Sequence, residues 1–177
     1  MFQSQYFLLI IALVMNNMIL FDFSENDDWS AWDIENDVVM GGRSSSQLLR
    51  SEEGNAIFKG EVSLENNGGF ASVQYRFPSK DITGYETAVL HLKGDGKKYQ
   101  FRLKEDLRDR ASYIYEFETT GDWQTVEIPL NKMKPVFRGR DVDMPNFSAN
   151  SIQEVRFLIG NKKRQEFRLE IDKIILQ

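Results

Sequence analysis

Cysteine is absent and histidine occurs once, as His91. The first absence excludes disulfides, thiol catalysis and every cysteine-ligated metal or iron–sulfur centre. The second excludes a histidine-pair metal site and leaves any Ser-His-Asp arrangement dependent on one imidazole. Proline is sparse, with four residues, and no stretch carries the apolar period of an amphipathic helix. Basic excess is lacking too: 22 Lys and Arg stand against 27 Asp and Glu, a formal charge of -5. That balance argues against a sequence-independent nucleic-acid binder, which needs a broad basic face. Charge of either sign is missing before Asp22, so every charged side chain lies from there onward.

Within that uncharged start, Tyr6 to Met15 is a continuous apolar run followed by Asn16-Asn17. The Asn pair interrupts it short of the roughly 20 apolar residues of a transmembrane helix, so no stable membrane span is expected. A secretory signal carries a basic n-region and a small-residue cleavage site, and neither is present. Three readings stay open: an extension upstream of a natural start at Met18, a poor signal, or a membrane-seeking helix. Residues 1–17 are thus read as an apolar extension or signal-like segment, and residues 18–177 as the folded domain. The expected location is cytoplasmic, with export or membrane association through residues 1–17 as the alternative.

What remains is dominated by a period of two. Val73, Tyr75 and Phe77 alternate with Gln74 and Arg76; Tyr99, Phe101 and Leu103 alternate with Gln100 and Arg102. The same pattern runs through Ala88–Leu92, Tyr113–Phe117, Val126–Leu130, Val155–Ile159 and Phe167–Ile171, with turn-forming Gly, Asn and Asp clusters between. Many short strands with near-regular turns predict an all-β domain of sandwich or barrel type. A short turn is expected near Ala149 to Gln153. Lys134 to Asn150 lacks alternation and reads as a long irregular loop.

Three segments carry more than scaffold chemistry. In Asn36-Asp37-Val38-Val39-Met40-Gly41-Gly42-Arg43-Ser44, paired glycines permit close backbone approach, and Asp37 or Ser44 can bond exposed amides. No helix follows and no Gly-Lys-Ser/Thr is present, so a P-loop is not indicated. The expectation is a structural crossing that packs Met40 into the core. Asn66-Asn67-Gly68-Gly69 reads as a hairpin turn, and Gly94-Asp95-Gly96 as an ordinary Asp-Gly turn. Phe137-Arg138-Gly139-Arg140 places two guanidiniums on a flexible loop, a chemistry suited to carboxylate or phosphate.

Taken in order, these motifs resemble the mitochondrial complex I intermediate-associated protein family. The match uses Trp32 with Asn36 to Ser44, then Phe58-Lys59-Gly60-Glu61-Val62-Ser63-Leu64-Glu65, then Asn67 to Ser72. Gly94 to Gly96 with Tyr99, Trp123 with Pro129, and Phe137 to Arg140 continue it. It runs from about Ile19 to Ile175. The resemblance implies a galactose-binding-like jelly-roll β-sandwich, in agreement with the period of two. It also implies a binding or assembly domain without catalysis, since the best-known member assists assembly of respiratory NADH:ubiquinone oxidoreductase. The uncharged start has no Arg before Arg43, unlike a mitochondrial presequence, which points toward the family's stand-alone prokaryotic members. The family supplies no agreed catalytic or ligand residues to carry over.

Direct tests of chemistry agree. Carboxylate pairs such as Glu116 with Glu118 share one strand face and read as solvated pairs, and His91 lies on the polar phase of its strand. No catalytic residue, cofactor or metal is expected, and Asp22 and Asp172 have no ligand spacing. The polar phase of several strands offers Gln74, Arg76, Gln100, Arg102, Arg156 and Arg168. Neighbouring strands would join these into an Arg-rich shelf for an acidic protein partner, such as a respiratory-complex subunit or assembly intermediate. Carbohydrate is the second reading, weakened because the aromatics fall in the core phase. The candidate binding residues are Asp37, Met40, Gly41, Gly42, Ser44, Arg76, Arg102, Arg138 and Arg140.

Overall fold

Apolar side chains at every second position cover one face of a pleated strand, and two such faces bury each other. The computed structural model describes residues 17–177, so the expectations for residues 1–16 lie outside the described residues. The strands are β1 (Met18–Asp22), β2 (Trp32–Ile34), β3 (Ser45–Arg50), β4 (Ala56–Val62), β5 (Ala71–Asp81), β6 (Thr87–Lys93) and β7 (Lys98–Lys104). After them come β8 (Ser112–Glu118), β9 (Trp123–Pro129), β10 (Lys134–Phe137), β11 (Arg140–Asp141), β12 (Ser151–Ile159) and β13 (Gln165–Leu176). They form two antiparallel sheets, a jelly-roll β-sandwich. One sheet runs β3-β4-β13-β6-β9, with β1 on the second half of β13; the other runs β11-β10-β8-β7-β12-β5-β2.

Between the sheets lie Leu90 and Leu92 of β6, Tyr99, Phe101 and Leu103 of β7, and Val155, Phe157 and Ile159 of β12, all buried. This is the apolar phase read from the sequence. Tyr99 buries its ring and donates its hydroxyl to Asp95 Oδ1 at 3.0 Å. Burial, then the Asp95 charge, raises the phenol's pKa, so it remains a donor.

Several expected turns have other roles. Asn66–Gly69 is not a hairpin turn: β4 and β5 belong to different sheets, and a 3-10 turn at Glu65–Asn67 carries the chain across. Gly94-Asp95-Gly96 likewise crosses from β6 to β7 in the opposite sheet. Lys134 to Asn150 is not wholly irregular, because β10 and β11 form a tight hairpin within it. The turn expected at Ala149 to Gln153 gives way to β12, which begins at Ser151. No helix among the described residues is long and apolar enough to cross a membrane.

Candidate functional site

Asp37 is fully buried at one end of the sandwich. Its Oδ1 accepts the amide of Ser44 at 2.9 Å. Its Oδ2 accepts the amides of Gly69 at 2.6 Å and Phe70 at 3.2 Å, and the Ser44 hydroxyl. That hydroxyl in turn accepts the amide of Ser63, past the end of β4, at 2.9 Å. One carboxylate therefore ties the approach to β3 in one sheet to the approach to β5 in the other. Burial alone would push its pKa up; the Ser44 hydroxyl and the three amides outweigh that and hold it below the usual carboxylate range.

The clasp explains the glycines on either side of it. A Cβ on Gly42 would stand 2.4 Å from the Asp37 carboxyl carbon, and one on Gly68 2.6 Å from Oδ2. Two sequence motifs some 30 residues apart thus make one device, with the carboxylate seated against backbone that only glycine leaves open. Gly41 ends the Asp37–Met40 turn with φ +91°.

The apolar residues of that turn point outward. Val38, Val39 and Met40 are 59, 70 and 59 % exposed. The expectation that Met40 packs into the core is overturned: the side chain directed inward here is Asp37. Leu64, against Gly69, is a fourth exposed apolar side chain beside the clasp. Nothing in the alternation marks Val38 and Val39, although an unalternated Val-Val-Met between Asp and Gly was a usable signal.

Beside the clasp, Glu35 reaches the outward face of the seven-stranded sheet. Its carboxylate takes Arg156 Nη1 at 3.0 Å and Gln74 Nε2 at 3.2 Å, and it lies 3.6 Å from Arg76 Nη2. Burial raises the Glu35 pKa, but Arg156 foremost, with Gln74 and Arg76, brings it below the ordinary value. Buried Glu154 accepts from Arg76 Nε at 2.9 Å and lies 3.2 Å from Arg156 Nη2. Register sets Gln74, Arg156 and Arg102 side by side across β5, β12 and β7. The shelf expected from the polar phase is therefore real for five of its residues. Arg168 is not on it, since β13 belongs to the other sheet, where its guanidinium pairs with Glu170 at 2.8 Å. No aromatic ring occupies the outward positions of β5, β7, β8 and β12.

Arg138 and Arg140 lie at the other edge of this sheet. Phe137 pairs with Arg140, and Arg138 and Gly139 have φ +50° and +73°. Positive φ at both central residues is the two-residue hairpin turn that matches strand twist, not a flexible loop. Arg110 and Arg138 cap the Phe137 ring, with guanidinium carbons 4.8 and 5.3 Å from its centre. Beside it opens a groove of about 580 Å³ lined in part by Tyr113, Val142 and Met144. The candidate residues thus fall into three places: clasp, sheet face and far hairpin.

His91 Nδ1 lies 2.7 Å from Asp172 Oδ2, and its ring stacks on Trp123. Lys173 lies 3.3 Å from the Asp22 carboxylate and 3.4 Å from that of Asp172, so both carry a protein cation. No group of three or more His, Cys, Asp or Glu that could hold a metal occurs among the described residues.

A family model described as complex I intermediate-associated protein 30 matches residues 21–171. The chain is 28% identical to the mitochondrial complex I intermediate-associated protein 30 of Mus musculus, over 87% of this chain and 54% of that protein. It is also 28% identical to the Drosophila melanogaster protein of the same name, over 90% and 62%. The chain therefore spans about half to three-fifths of these relatives' length. Among solved structures it is similar to a family 11 carbohydrate-binding module from Clostridium thermocellum in complex with a β-1,3-1,4-mixed-linked tetrasaccharide. That likeness has a TM-score of 0.67 and 18% identity, and covers 90% of this chain and 94% of the other. The family 11 module of the cellulosomal cellulase Lic26A-Cel5E gives a TM-score of 0.68 at 18% identity, over 91% and 94%. At that identity the likeness carries the fold alone.

Proposed function

This chain belongs to the complex I intermediate-associated protein 30 family, and from that premise we propose a non-catalytic protein-binding module of the assembly-factor kind. Its partner is a respiratory-complex subunit or assembly intermediate. The observation that carries the docking surface is the exposed Val38-Val39-Met40 turn, held by the buried Asp37 clasp. Apolar side chains on a fixed backbone lose little freedom on association, and contiguous exposed apolar groups mark interaction sites. Arg138 and Arg140 form a second, cationic element at the far edge of the same sheet.

Affinity capture from the native host is the test, comparing the wild-type chain with Val38→Ser/Val39→Ser/Met40→Ser. Subunits of NADH:ubiquinone oxidoreductase should accompany the wild type and be lost from the triple variant at unchanged melting temperature. Capture of the same subunits by both, or of none by either, overturns the reading.

Carbohydrate binding is the second reading. One similar module is in complex with a β-1,3-1,4-mixed-linked tetrasaccharide, and the outward sheet face here offers Gln74, Gln100 and Arg102. Against it stand the absence of stacking rings there and the internal pairing of Arg76 and Arg156. Retention on mixed-linked glucan by a chain that captures no protein would reverse the order.

A further inference from the structure

We propose that Arg102, at the centre of the outward face of the seven-stranded sheet, anchors a binding site for a carboxylate. The other guanidiniums there are neutralised in place: Arg76 by Glu154, and Arg156 by Glu35 and Glu154. Arg102 has no carboxylate within salt-bridge distance among the described residues. Its Nε donates to Gln100 Oε1 at 3.0 Å, and Nη2 donates to the same oxygen. Nη1 is left without a partner among the described residues, yet is not sealed from solvent.

Glu154 and Glu116 act on Arg102 from beyond contact distance, and each is engaged elsewhere. Across the strands, Arg102 faces Arg156 on β12 and Ile114 on β8. Glu116 is already engaged by Gln100 at 3.0 Å and lies 3.9 Å from Lys98. Lys104, next along β7 on the same face, donates to the Asp109 carbonyl, which is uncharged. Two like charges opposite one another on adjacent strands destabilise a sheet. Burial, then Arg156, lowers the Arg102 pKa to about 10, with Glu154 and Glu116 opposing the shift. A partly desolvated guanidinium with one open side and no directly paired carboxylate fits a planar monoanion, which a guanidinium fork meets through two parallel bonds. A dianionic tetrahedral phosphate fits a single open guanidinium less well.

The carboxylate is either that of a small molecule or an acidic side chain of a protein. Guanidinium NMR of ¹⁵N-arginine-labelled protein separates these, with the Arg102 Nε resonance identified by its loss in Arg102→Lys. Sodium glutarate, an acetylated tri-glutamate peptide and sodium phosphate are titrated against sodium chloride of matched ionic strength. Saturable movement of the Arg102 resonance with glutarate or the peptide supports the site, and the tighter of the two identifies its source. Arg102→Lys, which keeps charge but loses the fork, should bind about tenfold more weakly by shifts at neighbouring backbone amides. Arg102→Gln should show no saturable response there. A response equal to that of chloride, phosphate binding tighter than both carboxylates, or an unaltered response in Arg102→Gln overturns the proposal. The Val38–Met40 turn is intact in every variant, so this outcome is separate from that of partner capture.

Discussion

Asp37 and Arg102 are both charges drawn out of water in one sandwich, and the fold treats them in opposite ways. Asp37 is wholly buried and receives four hydrogen bonds from three residues, spanning both sheets. Arg102 receives one glutamine oxygen and faces a second guanidinium. A buried charge left short of partners costs stability, whereas one saturated with donors holds backbone in place. The contrast separates architecture from site: a saturated group has no capacity left for a ligand, and an unsaturated one does.

The most direct way to break this contrast is to delete the saturated charge. Asp37→Ala leaves three buried or half-buried amides without an acceptor and should cost about 3 to 4 kcal/mol, read by urea unfolding. Asp37→Asn sharpens the point, because its NH2 would face donors. The Asp37 pKa is lower folded than unfolded, so its stabilisation is complete above the unfolded carboxylate pKa of about 3.9. It is lost as pH falls through the folded value. The gap between wild type and Asp37→Asn should therefore be full at neutral pH and close in strong acid. A gap independent of pH would place the stabilisation elsewhere.

Gly42→Ala probes the same clasp by steric means and should have a smaller effect. The added carbon would meet the Asp37 carboxyl at 2.4 Å, and overpacking of this kind costs about 1 to 3 kcal/mol. Guanidinium signals of Arg102 should be unchanged in this variant. If they move, the clasp and the sheet face are coupled through Glu35, and the two regions are not independent.

How far each region could be read in advance follows from the range of its interactions. Alternation is local, and it put Gln74, Arg76, Arg102 and Arg156 on the polar phase, where they are found. Sheet membership is not local: Arg168 shows the same alternation but stands on the opposite sheet. The glycines and Asp37 announced a backbone crossing, because that chemistry lies in neighbouring residues. That the acceptor for Gly69 and Phe70 would be Asp37 depends on a contact across 32 residues or more. Once Asp37 takes the inward position, its neighbours Val38 to Met40 are left outside, so the fate of Met40 was fixed by a partner far along the chain. Arg138-Gly139 was within reach, since two residues able to take positive φ between short extended runs are a hairpin signal.

The smallest effect is the most discriminating. If Arg102 is architectural, replacing it should cost stability as Asp37→Ala does. If it is an unfilled site, Arg102→Leu removes one of two opposed guanidiniums and places an alkyl side chain beside Ile114. It should then stabilise the chain by about 0.2 to 1 kcal/mol. The gain should shrink in molar salt, where the Debye length falls to about 3 Å, because its origin is repulsion between charges that solvent partly reaches. A loss on substitution, or a gain indifferent to salt, would make Arg102 a packing residue and remove the contrast with Asp37. Groups kept at a cost to the free protein are where a binding partner has most to gain, so a stabilised Arg102→Leu chain that no longer responds to glutarate would join both results in one side chain.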